Sequence, residues 1–199
     1  ELNYIMGNPP FIGAKYMTAV QKNDAVDIFG KIKLANSIDY VGAWYFKAAK
    51  YIENTSIQCA FVSTNSICQG EQATALWKPL FEKYKIIINF AHKTFVWDSE
   101  ATLKAKVHCV IVGFSFAANT ASRCIYTGSR SQNVESINAY LIEAPVVFIE
   151  NRNKPLCNVP EMTTGNRPAD GGHLILSQEE YEELIKREPN AQKYIKKLE

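Results

Sequence analysis

The chain has no apolar stretch of membrane-spanning length and no charged-then-apolar leader, so nothing in it marks a spanning helix or a secretory signal. Cysteine is sparse and poorly spaced for building structure. Cys59, Cys68, Cys109, Cys124 and Cys157 are odd in number and lack the close pairs that hold a metal. They read as free thiols, and a reducing compartment, the cytoplasm, is expected. An excess of one charge is also missing: 22 Lys and Arg against 20 Asp and Glu leave a net charge of +2. That balance does not announce a nucleic-acid binder, so contacts with phosphates have to come from local clusters or from other parts of the protein. An initiator methionine is absent, and an excerpt from a longer polypeptide is expected. What is present is 47% hydrophobic and 21% charged residues over 199 positions, ordinary for one large or two small domains with a buried core.

Within this ordinary composition, Asn8-Pro9-Pro10-Phe11 reads as chemistry. It follows the apolar run Tyr4-Ile5-Met6 and Gly7, in a tight turn at the carboxyl end of an expected strand, where open α/β sheets bind ligands. Asn-Pro and Pro-Pro are loop signals by themselves. These residues can do more than turn. The Asn8 side-chain oxygen can accept one N–H of an amino group and the Pro9 carbonyl the other, because the Pro9-Pro10 pair is stiff and has no N–H to recapture those oxygens. An amino group conjugated with a ring or a carbonyl is a poor nucleophile. Held this way, it is drawn towards pyramidal geometry with its lone pair free. Asparagine suffices because the amine proton becomes acidic only after the nitrogen has attacked, so position matters more than basicity. Phe11 supplies a face on which a planar base or amide stacks, as for a nucleobase taken out of its duplex.

The remaining chain alternates between helical and extended patterns. Ser37 is a candidate cap for a helix with Ile38, Val41, Tyr45, Ala48, Ala49 and Ile52 on one stripe. A second stripe of Tyr40, Trp44 and Tyr51 is expected to be core as well. Residues 12–36 read as irregular, with Lys15, Lys22, Lys31 and Lys33 as scattered candidates for phosphate contact. Residues 57–62 form a buried parallel strand running into Ser63-Thr64-Asn65-Ser66, a polar loop at the same sheet edge as the motif. Ala73, Leu76, Trp77, Leu80 and Phe81 fall at helical spacing, with Pro79 as a kink or first-turn residue. A strand over 86–90, residues 91–97 and a charged loop lead to a long apolar strand over 107–116. With no room for a crossover helix, these two strands are expected to be antiparallel. His92 and His108 have no acid or thiol partner at ligand spacing, and Asp24 with Asp27 reads as a solvated pair, so no metal site is expected. The pattern breaks at residue 119, which divides the chain into 1–118 and 119–199. In the second part, Ser177-Gln178-Glu179-Glu180 is a capping box that opens a helix stopped at Pro189. A short helix with Tyr194, Ile195 and Leu198 is expected to follow, and for its basic residues Lys193, Lys196 and Lys197 a solvated face is expected ahead of contact with DNA phosphates.

The tetrapeptide, with its preceding strand and aromatic fourth residue, resembles the catalytic motif of S-adenosylmethionine-dependent amino-group methyltransferases, Asn/Asp/Ser-Pro-Pro-aromatic. The resemblance implies catalytic roles for Asn8, Pro9, Pro10 and Phe11, a base stacked on Phe11, and contact of Asn8 and Pro10 with the cofactor. It implies an α/β fold over 1–118, the C-terminal half of a Rossmann-like class I sheet with an antiparallel strand near its end, followed by the start of a second α+β domain. In that family an aromatic just before the reversed strand covers the second face of the base; Phe95 matches best, ahead of Trp97.

Three longer blocks are similar to MmeI-like single-chain restriction–modification enzymes: Ser63-Thr64-Asn65-Ser66-Ile67-Cys68-Gln69-Gly70, Ala91-His92-Lys93-Thr94-Phe95-Val96-Trp97 and Pro168-Ala169-Asp170-Gly171-Gly172. The Asn and Phe of the motif resemble the adenine group, whereas Ser is commoner in the cytosine group. The partners implied are double-stranded DNA and the rest of a parent polypeptide, with a cofactor half, a recognition domain and a possible nuclease. Such enzymes approach their cofactor through a glycine-rich turn and an acidic residue. Neither stands ahead of Asn8, and Gly165, Gly171 and Gly172 lie far downstream, so most of the S-adenosylmethionine site is expected outside this chain. The tetrapeptide leaves two alternatives open: methylation of a protein glutamine or an RNA amine, and a non-catalytic DNA-specificity module.

Overall fold

A computed structural model of the protein describes residues 2–32, 35–97, 107–117, 122–150, 152, 154–160, 171–173 and 175–196, the side chain of Trp97 apart. Lys33, Gly165, the run 168–170, Lys197 and Leu198 lie outside the described residues. The chain divides into two compact units, Glu1–Asn151 and Arg152–Glu199.

The first unit is built on a six-stranded mixed sheet of order β1-β2-β4-β3-β5-β6. β1 (Tyr4–Gly7) runs parallel to β2 (Gln58–Thr64), with Gly7 beside Phe61. β3 (Ile86–Trp97) runs the same way, and β4 (Val107–Phe116) is inserted antiparallel between β2 and β3. β5 (Arg123–Thr127) pairs in parallel with β3 and turns through Gly128, φ 57°, into the antiparallel β6 (Arg130–Val134). The strand expected over 86–90 therefore continues through residue 97. Bulges at Ile88/Phe90 and His92/Phe95 carry it past positions where a regular ladder would lose register. Asn89 is the extra residue of the first bulge, and its buried amide donates to the Ser115 hydroxyl at 3.0 Å.

Helices α2 (Gly42–Tyr51) and α3 (Gly70–Glu82) lie in the crossovers that make β1, β2 and β3 parallel. The expected stripe Ile38, Val41, Tyr45, Ala48, Ala49 and Ile52 is buried. The helix itself begins later than Ser37, which belongs to a 3-10 turn at Ala35–Ser37. Gly42 is required there, since a Cβ would stand 2.3 Å from the Ile38 γ-methyl carbon. Pro79 sits in the last turn of α3 rather than opening it. Tyr45 stacks on Phe114 at 5.2 Å and meets Trp77 and Phe61 edge-on at 5.4 and 5.3 Å. Burial of each such side chain contributes on the order of 1.5–3 kcal/mol. Their polar atoms are satisfied within the core: Trp77 Nε1 donates to the Ile67 carbonyl at 2.9 Å, and the Tyr45 and Ser63 hydroxyls share a bond of 2.9 Å.

Two further features depart from the expected pattern. Residues 12–36 are not irregular: α1 (Ala19–Phe29) is a helix opened by a Thr18–Gln21 capping box and closed at Gly30, φ 58°. It escapes detection because only Ala25 and Phe29 are buried on it, too few for a stripe. The second difference concerns the division at 118/119. β5 and β6 continue the same sheet, and Ile137, Ala139 and Leu141 join the same core. Farther on, Thr74 Oγ1 donates to the Ile149 carbonyl at 3.1 Å, and Lys78 pairs with Glu150 at 2.6 Å. A break in periodicity marks the end of an element, and here it does not mark the end of the compact unit.

In the second unit, Ser177 and Glu180 form the expected capping box of α4 (Gln178–Arg187), which ends at Glu188 before the 3-10 turn Pro189–Tyr194. Hydrogen bonds from the Ser177 backbone and side chain hold the Glu180 carboxylate below its usual range.

Candidate functional site

The motif leaves the sheet directly after β1. Gly7 is held beside Phe61, and five residues later the Ile12 carbonyl accepts the Tyr40 N–H at 2.9 Å. Between these fixed points Pro9 is buried, Asn8 and Pro10 are exposed, and Phe11 is half-buried. The Pro10 carbonyl accepts the Ile12 N–H at 3.2 Å. With Pro9 as the anchor, the loop holds the Asn8 amide out of the core.

An open cleft of about 860 Å³ lies beside it, within the range of small-molecule sites. Asn8, Pro9 and Pro10 line it together with Tyr40 and Trp44, and Asp24 and Asp27 reach it from α1. The second aromatic stripe is thus only partly core. Tyr40 and Trp44 meet edge-on at 5.0 Å and face the cleft, and Tyr51 is 62% exposed. The two aspartates are cleft residues as well. The Tyr40 hydroxyl donates to Asp24 Oδ2 at 3.2 Å, and desolvation followed by that bond raises its pKa, so it remains a neutral donor.

Phe95 reaches the same end of the sheet by a different route. It stands opposite Cys109 of β4, which stands opposite Thr64 at the end of β2. The strands carrying the motif and Phe95 are therefore three spacings apart, about 14 Å. Phe95 meets the His92 ring edge-on at 5.2 Å, and His92 lies parallel to Tyr126 at 6.3 Å. His92 belongs to this aromatic step. Among the described residues no group of three or more His, Cys, Asp or Glu is placed to hold a metal ion. Thiol chemistry has no support at the site, since burial pushes Cys59 up to about 12 and Cys68 up to about 11.

Sequence reasoning missed Asp39 and placed Ser66 only in the polar stretch at the motif's sheet edge. The Asp39 carboxyl accepts the Ala14 N–H at 2.9 Å and the Ser66 hydroxyl at 2.7 Å. The only signal available for them was polarity at the two loops that follow β1 and β2.

The comparisons with known proteins identify the family. The family model of the MmeI DNA-methyltransferase domain matches residues 1–127. The chain belongs to the MmeI DNA-methyltransferase family. The model of the MmeI target recognition domain matches 143–199, so the family's changeover lies between 127 and 143, while the compact unit of this MmeI-family chain runs to Asn151. DNA methyltransferase A of Bacillus subtilis (strain 168) is 39% identical over 195 residues, 98% of this chain and 22% of that protein. The solved structure of the Type IIL restriction–modification enzyme MmeI in complex with DNA is 43% identical with a TM-score of 0.85, covering 96% of this chain and 26% of the other. The chain spans about a quarter of the length of these relatives. Among the described residues no helix is long and apolar enough to cross a membrane.

Proposed function

We propose that the intact protein is a site-specific DNA methyltransferase of a restriction–modification enzyme, which moves a methyl group from S-adenosylmethionine to the exocyclic amino group of a flipped adenine. This chain carries the C-terminal half of its Rossmann-like catalytic sheet and the start of its recognition domain. One observation carries the reading: in an MmeI-family chain, the Asn8 amide is exposed at the rim of an open cleft while Pro9 anchors the loop beneath it. A match to the family's target recognition domain over 143–199 favours DNA over a protein or RNA substrate.

The chemistry follows from the acceptors. The Asn8 Oδ1 and the Pro9 carbonyl accept hydrogen bonds from the two amino N–H groups, turn the nitrogen lone pair away from the ring and hold it for in-line attack. Phe11 stacks on one face of the base, and Phe95 is the candidate for the other; each stack is worth about 1–3 kcal/mol. S-adenosylmethionine, when bound, supplies an electrophilic methyl group on a sulfonium. Asn8 and Pro10 line the cleft and would face its reactive end.

The test is Asn8→Ala in the full-length protein, assayed by transfer of labelled methyl groups to cognate DNA. A fall of about 10²- to 10³-fold is expected, the scale for losing one preorganised hydrogen-bonding group. Unchanged methylation would remove the catalytic assignment.

A further inference from the structure

Asp39 stands just ahead of α2 and reaches two loops at once. Its Oδ1 accepts the Ala14 N–H at 2.9 Å, three residues past Phe11 of the motif, and its Oδ2 accepts the Ser66 hydroxyl at 2.7 Å, in the turn that follows β2. The Ser66 oxygen is in turn 2.6 Å from the Thr64 hydroxyl, which acts as the donor once the Ser66 proton is committed to Asp39. The backbone around Asp39 is itself fixed: its N–H donates to Gln72 Oε1 of α3 at 3.1 Å, and the neighbouring Tyr40 N–H holds the Ile12 carbonyl at 2.9 Å. Only a carboxyl offers two acceptors in this geometry. Asparagine keeps one acceptor and alanine none.

We infer that Asp39 is a positioning residue for methyl transfer, tying the motif loop after β1 to the turn at Asn65 and Ser66 after β2 so that both face the target base at a fixed spacing. The inference rests on the function proposed above. Asp39 touches neither base nor cofactor. It acts on where the Asn8 and Pro9 oxygens sit, and a misplacement of about 1 Å at such a site costs about 10²-fold in rate.

The experiment uses the full-length polypeptide with Asp39→Ala, Asp39→Asn and Ser66→Ala, and Asn8→Ala beside them. It measures the single-turnover methylation rate, the affinity for cognate DNA, the KM for S-adenosylmethionine, the melting temperature, and the fluorescence of 2-aminopurine at the target position. For Asp39→Ala we expect the rate to fall about 10- to 100-fold. DNA affinity and KM should move less than about threefold, within the spread of a change that leaves binding contacts intact. Asp39→Asn, nearly isosteric and able to keep the Ala14 contact, should lose less. Ser66→Ala should add nothing to Asp39→Ala, because both cut the same link. The 2-aminopurine signal should show a flipped base held less firmly. A wild-type rate in Asp39→Ala, with Asn8→Ala inactive, overturns the positioning role alone. Rate, affinity and melting temperature falling together in Asp39→Ala and Asp39→Asn overturns it in favour of a merely structural carboxyl. An unaffected Asn8→Ala overturns the proposed function itself.

Discussion

The two faces of the sheet are made by the same strands and are covered very differently. Partners across the ladder share a face, so Cys59, Phe61, Ser63, Val110, Val112, Phe114, Ile86 and Ile88 point one way, under α2 and α3, and all are buried. The other face holds Tyr4 and Met6 at 63% and 80% exposure, half-buried Val62, Ile111 and His92, and Tyr126 at 39%. Close packing stabilises one side. The candidate site's loops rise from the sheet's end and are held by hydrogen bonds such as those of Asp39. Substitutions on the covered face should therefore be read out as stability, and those at the sheet's end as rate.

The largest effect that would test this contrast is Trp77→Ala, which empties the centre of the covered side. It should cost about 3–5 kcal/mol in denaturant unfolding. Tyr45→Phe should cost about 1–3 kcal/mol, because it leaves the fully buried Ser63 hydroxyl without its partner. Ser177→Ala, which removes the cap of α4, should lower helicity by circular dichroism at a cost of about 1 kcal/mol. On the open face, Met6→Ser should stay within about 0.5 kcal/mol. If Met6→Ser proves as costly as Tyr45→Phe, the asymmetry between the faces is wrong. The last effect is zero at neutral pH. Burial raises the Cys59 and Cys68 thiols from about 9 to about 12 and about 11, so the folded state holds these protons more tightly than the unfolded chain. The thiols' contribution to stability should be flat below pH 9 and fall as pH rises from 9 through 11 towards 12, and Cys59→Ala with Cys68→Ala should flatten that fall in an alkaline melting series.

Much of this was legible locally. The Asn8-Pro9-Pro10-Phe11 turn, the apolar β4 with its bounds, the buried stripe of α2 and the Ser177–Glu180 box each carry a signal within a few residues of sequence. α1 was missed although Thr18 and Gln21 spell a capping box, because a helix with two buried residues has no stripe to confirm it. Residues 135–150 were assigned to a second domain because their packing on α3 runs through contacts such as Thr74 to Ile149, far apart in the chain.

The sequence alone determined most of the pieces that form and singled out the four residues proposed to carry the chemistry, since capping, periodicity and the stiffness of paired prolines act over short range. Only the tertiary structure decided that β4 slides between β2 and β3, that Tyr40, Trp44, Asp24 and Asp27 meet Asn8 in one cleft, and that Asp39 bridges two loops. Strand order and long-range hydrogen bonds depend on which apolar surfaces find each other, and no window of sequence contains both partners.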